Sequence, residues 1–114
     1  MSEQEVFDVL KYRTVVDRHG TRRYYNGAGM LHRNGGPAIE FSNGVNYWYQ
    51  NGLVHRNDGP AIEYASHAKV WLQNGLRHRT NGPAVEYTNG HKMWFINGEE
   101  LTEAEFNQLV NENV

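Results

Sequence analysis

The sequence predicts a mainly β protein, a single-layer antiparallel meander of 23-residue hairpin repeats closed by a short C-terminal helix. Three observations carry this expectation. A decapeptide is written three times, as "HRNGGPAIEF" from His32, "HRNDGPAIEY" from His55 and "HRTNGPAVEY" from His78. Asn-Gly pairs recur between apolar stretches, and Asn-Gly is the strongest short-range hairpin signal. Finally, "LTEAEFNQLV" follows the last copy and reads as helix.

The copies set the register. Gly36, Gly59 and Gly82 open the "GPA" triplets at a spacing of 23. The same step aligns Tyr25 with Trp48, Trp71 and Trp94, and Asp17 with Glu40, Glu63 and Glu86. One domain over 1–114 accounts for the length: an N-terminal cap over 1–23, three repeats over 24–92, and a half repeat with a capping helix over 93–114.

Within a repeat, a two-residue turn at Asn43-Gly44 sets Phe41 opposite Asn46, Glu40 opposite Tyr47 and Ile39 opposite Trp48. The same turn at Asn89-Gly90 sets Val85 opposite Trp94 and Glu86 opposite Met93. Further turns fall at Asn51-Gly52 and Asn74-Gly75. Successive strand residues point to opposite faces. On this register Ile39 with Trp48, Ile62 with Trp71, Val85 with Trp94 and Val16 with Tyr25 form an apolar structural stripe. The other face, with Ala38, Ala61, Ala84, Tyr49, Leu72, Phe95 and the repeated Glu40, Glu63 and Glu86, is expected to be wetter.

At the C-terminus, Thr102 stands three residues before Glu105 at capping-box spacing, ahead of Phe106, Leu109 and Val110 on one stripe, so a helix is expected over about 103–111. Ser2 and Glu5 repeat the spacing ahead of Val6, Phe7, Val9 and Leu10 and predict a short N-terminal helix. Such ends protect a repeat array from edge-to-edge pairing.

Composition narrows the function classes. The formal net charge is -2, with acids and bases scattered, so no summed field favours nucleic acid or an acidic membrane. Cysteine is absent, which excludes disulfides and thiolate metal sites. No apolar run approaches the ~20 residues that span a bilayer. The start "MSEQEVFDVL" lacks the basic flank and apolar centre of a signal peptide, and a cytoplasmic location is expected.

The pattern Tyr49-x-x-Gly52-x-x-His55, recurring as Leu72-x-x-Gly75-x-x-His78, resembles the MORN (membrane occupation and recognition nexus) repeat over roughly residues 15–101. Arg33, Arg56 and Arg79 follow the histidines where MORN units usually carry Gly, so the chain is similar to the variant HRxxGPA repeat of phage and bacterial proteins. The resemblance implies an elongated hairpin meander with a shallow groove. For a phage protein it implies a place in the host-cell cytoplasm and a role in modulating or inhibiting a host defence protein.

The candidate binding residues are His32, Arg33, Tyr49, His55, Arg56, His67, His78 and Arg79. A structural role competes for most of them: each Arg stands seven residues before a Glu and can pair with it or across to a neighbouring unit, while the His donates to a loop carbonyl near the Gly-Pro bend. No shared metal site is expected, because equivalent histidines lie at least two strands, roughly 10 Å, apart. His67 falls at a hairpin tip where "ASHA" replaces Asn-Gly, and Gly35, Asp58 and Asn81 vary inside the repeated motif. No nucleophile elbow, phosphate loop or paired-carboxylate pocket is legible, so neither catalysis nor a cofactor is expected. The function expected is a non-enzymatic module that binds a protein. The alternatives are a small-ligand or lipid-headgroup binder using the His-Arg ladder, and a self-assembling protein.

Overall fold

The computed structural model describes residues 13–112, so the helix expected from Ser2 to Leu10 lies outside the described residues. The chain is an antiparallel hairpin meander, 56 × 32 × 18 Å, with one helix at its C-terminal end among the described residues. β1 (Arg13–Val16) and β2 (Arg22–Tyr25) form the first hairpin. The next stretch gives β3 (Ile39–Glu40), β4 (Asn46–Tyr47), β5 (Tyr49–Gln50) and β6 (Leu53–Val54). The pattern recurs as β7 (Ile62–Glu63), β8 (Lys69–Val70), β9 (Leu72–Gln73) and β10 (Leu76–Arg77). β11 (Val85–Glu86), β12 (Lys92–Ile96), β13 (Glu99–Leu101) and helix α1 (Glu103–Glu112) complete the chain. One sheet runs β1-β2-β3-β4-β7-β8-β11-β12-β13, and β5-β6 and β9-β10 form small hairpins of their own.

Two kinds of turn alternate. At Asn51-Gly52, φ is +48° and +82°, and Gln50 pairs with Leu53: a two-residue hairpin with both central residues left-handed. Asn74-Gly75 does the same, with Gln73 opposite Leu76. Asn43-Gly44 does not. There Gly44 N–H donates to Phe41 O at 3.0 Å and Phe41 N–H to Val45 O at 2.9 Å, so Ser42, Asn43 and Gly44 form a three-residue loop in which Gly44 alone, at φ +92°, is left-handed. Tyr87 to His91 repeats this closure, and so does Tyr64 to Ala68, where His67 takes the left-handed place at φ +71°.

The extra loop residue moves the register by one. Ile39 pairs with Tyr47 rather than Trp48, and Glu40 with Asn46. Val85 pairs with Met93 rather than Trp94, and Glu86 with Lys92. A one-residue slip exchanges the faces. One face therefore carries the row Ile39, Tyr47, Ile62, Val70, Val85 and Met93. The other carries Glu40, Asn46, Glu63, Lys69, Glu86 and Lys92, alternating largely in sign. Trp48 and Trp71 belong with the glutamates, so the expected Ile-Trp stripe is divided between the two faces. Val16, expected to pair with Tyr25, sits opposite Arg22 and is exposed.

Part of the face expected to be wetter is dry. Ala38, Ala61 and Ala84 are wholly buried, and Leu72 and Phe95 nearly so. The main core is a cluster of Ala61, Val70, Leu72, Ala84, Val85 and Phe95, flanked by Trp48, Val54, Ile62, Trp71 and Met93. Trp48 and Trp71 fall between strands, where the chain leaves the main sheet for a small hairpin. That break lets residues of both faces close on one core.

Candidate functional site

The recurring HRxxGP loops build one constellation three times. Arg33 lies with its guanidinium carbon 4.0 Å from the Tyr24 ring centre, Arg56 3.7 Å from that of Trp48, and Arg79 3.8 Å from that of Trp71. On the guanidinium's other side stands the glycine of the triplet. A Cβ on Gly36, Gly59 or Gly82 would meet the guanidinium carbon at 2.8, 2.9 and 2.9 Å. None of these glycines has positive φ. Their role is close approach to the arginine, not turn geometry. In this contact Tyr24, not the aligned Tyr25, takes the tryptophan's part.

Each arginine is held at its edge as well. One Nη donates to the carbonyl of Pro37, Pro60 or Pro83 at 3.2, 3.1 and 3.0 Å. The same nitrogen stands 3.5, 3.5 and 3.1 Å from Glu40, Glu63 and Glu86. The glutamate also reaches the aromatic: Tyr24 Oη donates to Glu40 at 3.0 Å and Trp48 Nε1 to Glu63 at 3.3 Å. Arg56 and Arg79 further donate through Nε to Asp58 and Asn81 at 3.0 Å, a contact that Gly35 cannot offer Arg33.

The histidines do something the sequence did not suggest. Nδ1 of His32, His55 and His78 accepts the backbone N–H of Asn51, Asn74 and Asn97 at 3.0, 2.9 and 2.9 Å. Each imidazole thus staples the tight turn that follows, and His55 Nε2 also stands 2.9 Å from Asn57 Oδ1 in its own loop. Accepting through Nδ1 puts the proton of the neutral ring on Nε2. The adjacent turn glycines, Gly52, Gly75 and Gly98, donate to Leu31, Val54 and Arg77 carbonyls at 2.8 Å, so both N–H groups of the turn tip are satisfied from the preceding repeat.

Between successive loops lie two open grooves. The first, about 650 Å³, has Arg33, Asn34 and Gly35 on one wall, His55 to Asp58 on the other, and Trp48 and Gln50 between them. The second, about 580 Å³, repeats it with Arg56 to Pro60 on one wall, His78 to Asn81 on the other, and Trp71 and Gln73 between. They share the Arg56–Asp58 wall and run on from each other. Gln50 and Gln73, unmarked in the sequence reading, donate to the Arg33 and Arg56 carbonyls at 3.0 and 2.9 Å. Their one visible signal is position, each directly before an Asn-Gly pair.

A third hollow, of about 390 Å³, sits over Trp94, beside Thr80 to Pro83. Where a further loop would stand, it has α1, through Glu103, Phe106, Asn107 and Val110. Thr102 N–H donates to Glu105 at 2.9 Å and Glu105 N–H to Thr102 Oγ1 at 3.1 Å, the reciprocal cap that the spacing predicts. The Thr102 N–H first, then the Thr102 side chain, holds the Glu105 carboxyl below its ordinary range. Phe106 is 5 % exposed.

The grooves gather Arg33, His55, Arg56, His78 and Arg79 from the candidates. His32 lines neither. Tyr49 lies against Tyr47, ring centres 6.4 Å apart, and burial raises its phenol above the usual value. His67 is exposed at its own loop tip. Among the described residues no group of three or more His, Asp or Glu could hold a metal, and no helix is long and apolar enough to cross a membrane. No family model matches the chain, nor does any curated protein or solved structure.

Proposed function

We propose that this protein is a non-enzymatic repeat module that binds a protein partner, laying an extended segment of it along the two tandem grooves. The observation that supports the reading is their equivalence: two clefts of like size, each with a tryptophan and a glutamine between polar walls, in line along one surface. A polypeptide presents side chains and backbone amides at regular spacing, and a ladder of like sites answers it. The exposed groove residues Asn34, Gly35, Asn57, Asp58, Thr80 and Asn81 supply the variation from groove to groove. Trp and Arg are also the residue types enriched in binding hot spots, and a surface already stapled by hydrogen bonds loses little entropy on docking.

The alternative, an anionic small ligand or lipid headgroup gripped by the arginines, is weaker. Each guanidinium already has a proline carbonyl and a glutamate within 3.5 Å, so the ladder carries its counter-charge with it. The likeness to MORN and HRxxGPA repeats narrows the proposal to a phage protein that modulates or inhibits a bacterial defence protein in the host cytoplasm. Capture from bacterial lysate tests it. The protein should recover one partner in stoichiometric amount, and Asn57→Lys with Thr80→Lys, both exposed in the second groove, should lower that recovery at least tenfold with the fold intact by circular dichroism. A partner retained by the double variant would place binding elsewhere.

A further inference from the structure

Among the described residues, acids and bases mix through the middle of the chain and separate at its two ends. Residues 13–33 hold Arg13, Arg18, Arg22, Arg23 and Arg33 against the one acid Asp17. Residues 97–112 hold Glu99, Glu100, Glu103, Glu105 and Glu112 and no Lys or Arg. Among the described residues these segments contain the two ends of the sheet, since β1 is first in its strand order and β13 last. At the basic end only Arg23, to Asp17 at 3.0 Å, and Arg33 are ion-paired among the described residues. At the acidic end none of the five glutamates is ion-paired among the described residues. All four β1 residues are exposed, Val16 at 54 %, and so are Glu99 and Glu100 of β13.

We propose that a second copy of this chain docks its acidic β13 end on the basic β1 edge of the first, so that copies associate head to tail. An edge strand is a template for another chain, and charge on the edge decides which chains it admits. Two β1 edges would set arginine against arginine, and two β13 edges glutamate against glutamate. Only unlike ends are complementary. Such a contact is heterologous and leaves a free basic edge and a free acidic edge, so association continues into short linear oligomers instead of stopping at a dimer. The proposal uses neither groove and stands independently of the function proposed above.

Sedimentation velocity on the full chain tests it. In about 20 mM salt the average mass should rise with protein concentration, and in about 500 mM salt it should return to that of the monomer, because exposed charges are then screened within about 4 Å. Arg13→Glu with Arg18→Glu, and separately Glu99→Lys with Glu100→Lys, should each be monomeric in low salt. Mixed in equal amounts, these two variants should associate again, since the acidified head of one meets the basic tail of the other. Three results would overturn the proposal: a wild-type chain that stays monomeric throughout; association unchanged by either variant; or variants that fail to recombine while both keep the wild-type circular dichroism.

Discussion

Trp71 and Trp94 occupy the same place in successive copies of the motif and are covered in different ways. Trp71 has the Arg79 guanidinium over its ring, backed by Gly82 and tied to Pro83 and Glu86. Trp94 has no such arginine; α1 stands beside it, and Phe106 lines the same hollow. Inside an array the next loop supplies the cover. At the end of one nothing follows, and an amphipathic helix supplies apolar area where the interior uses a stacked cation. The difference explains why the two interior grooves lie between polar loops while the last hollow is walled on one side by α1.

The largest effect is expected at the helix-covered end. Phe106→Ala should destabilise the fold by about 3–5 kcal/mol, as for other buried phenylalanines, read from urea unfolding, and should redden the tryptophan emission as Trp94 gains water. Arg79→Ala should cost about 1–3 kcal/mol, through the lost stack and the partners it leaves. Arg79→Lys should recover only part of this, because an ammonium has no flat face to lay on the ring. Full recovery by lysine would show that charge, not stacking, covers Trp71.

The two turn types offer a finer contrast. Asn74 is left-handed, so Asn74→Ala should cost about 1–2 kcal/mol while Asn74→Gly is tolerated. Asn89, in the three-residue loop, is not left-handed, and Asn89→Ala should lose only its bond to His91 N–H, about 0.5 kcal/mol. Equal losses at both sites would contradict the assignment of the turns. His67 holds the left-handed place that Gly44 and Gly90 hold elsewhere, so His67→Gly should stabilise by about 1 kcal/mol in thermal melts.

The smallest effect separates the two ends by pH. The bond from Arg23 first, then the His19 N–H, holds the Asp17 carboxyl below its ordinary value of 3.8. The Thr102 backbone bond, then its side chain, holds that of Glu105 below 4.5. Both groups bind protons more readily unfolded than folded. Their contribution is complete above about pH 5 and is lost as pH falls below about 4, through the lowered values. Denaturant titrations at fixed ionic strength should show that decline, and Asp17→Asn should flatten part of it.

Much of this was legible in the chain. Repetition of the decapeptide gave the meander, Thr102 and Glu105 gave the helix cap, and the seven-residue Arg-to-Glu spacing matched the ion pairs at 3.1 to 3.5 Å. The register was not legible. Asn43-Gly44 and Asn51-Gly52 are the same dipeptide eight residues apart, yet one sits in a three-residue loop and the other is a two-residue turn. The dipeptide permits both. What distinguishes them lies outside it: the Asn51 and Gly52 N–H groups are caught by His32 and Leu31 of the preceding repeat, whereas Gly44 N–H is caught locally by Phe41.

The sequence by itself determined the repeating units, their antiparallel strands and the closing helix, because local turn chemistry, alternation and capping are written in neighbouring residues. Only the tertiary structure decided which face the tryptophans join, why the triplet glycines are glycine, and what the histidines hold. Those depend on groups that meet across loops, such as Arg56 between Trp48 and Gly59, or His55 at the turn of Asn74. A single extra residue in a loop exchanges the two faces of a strand, and no local propensity is strong enough to forbid it.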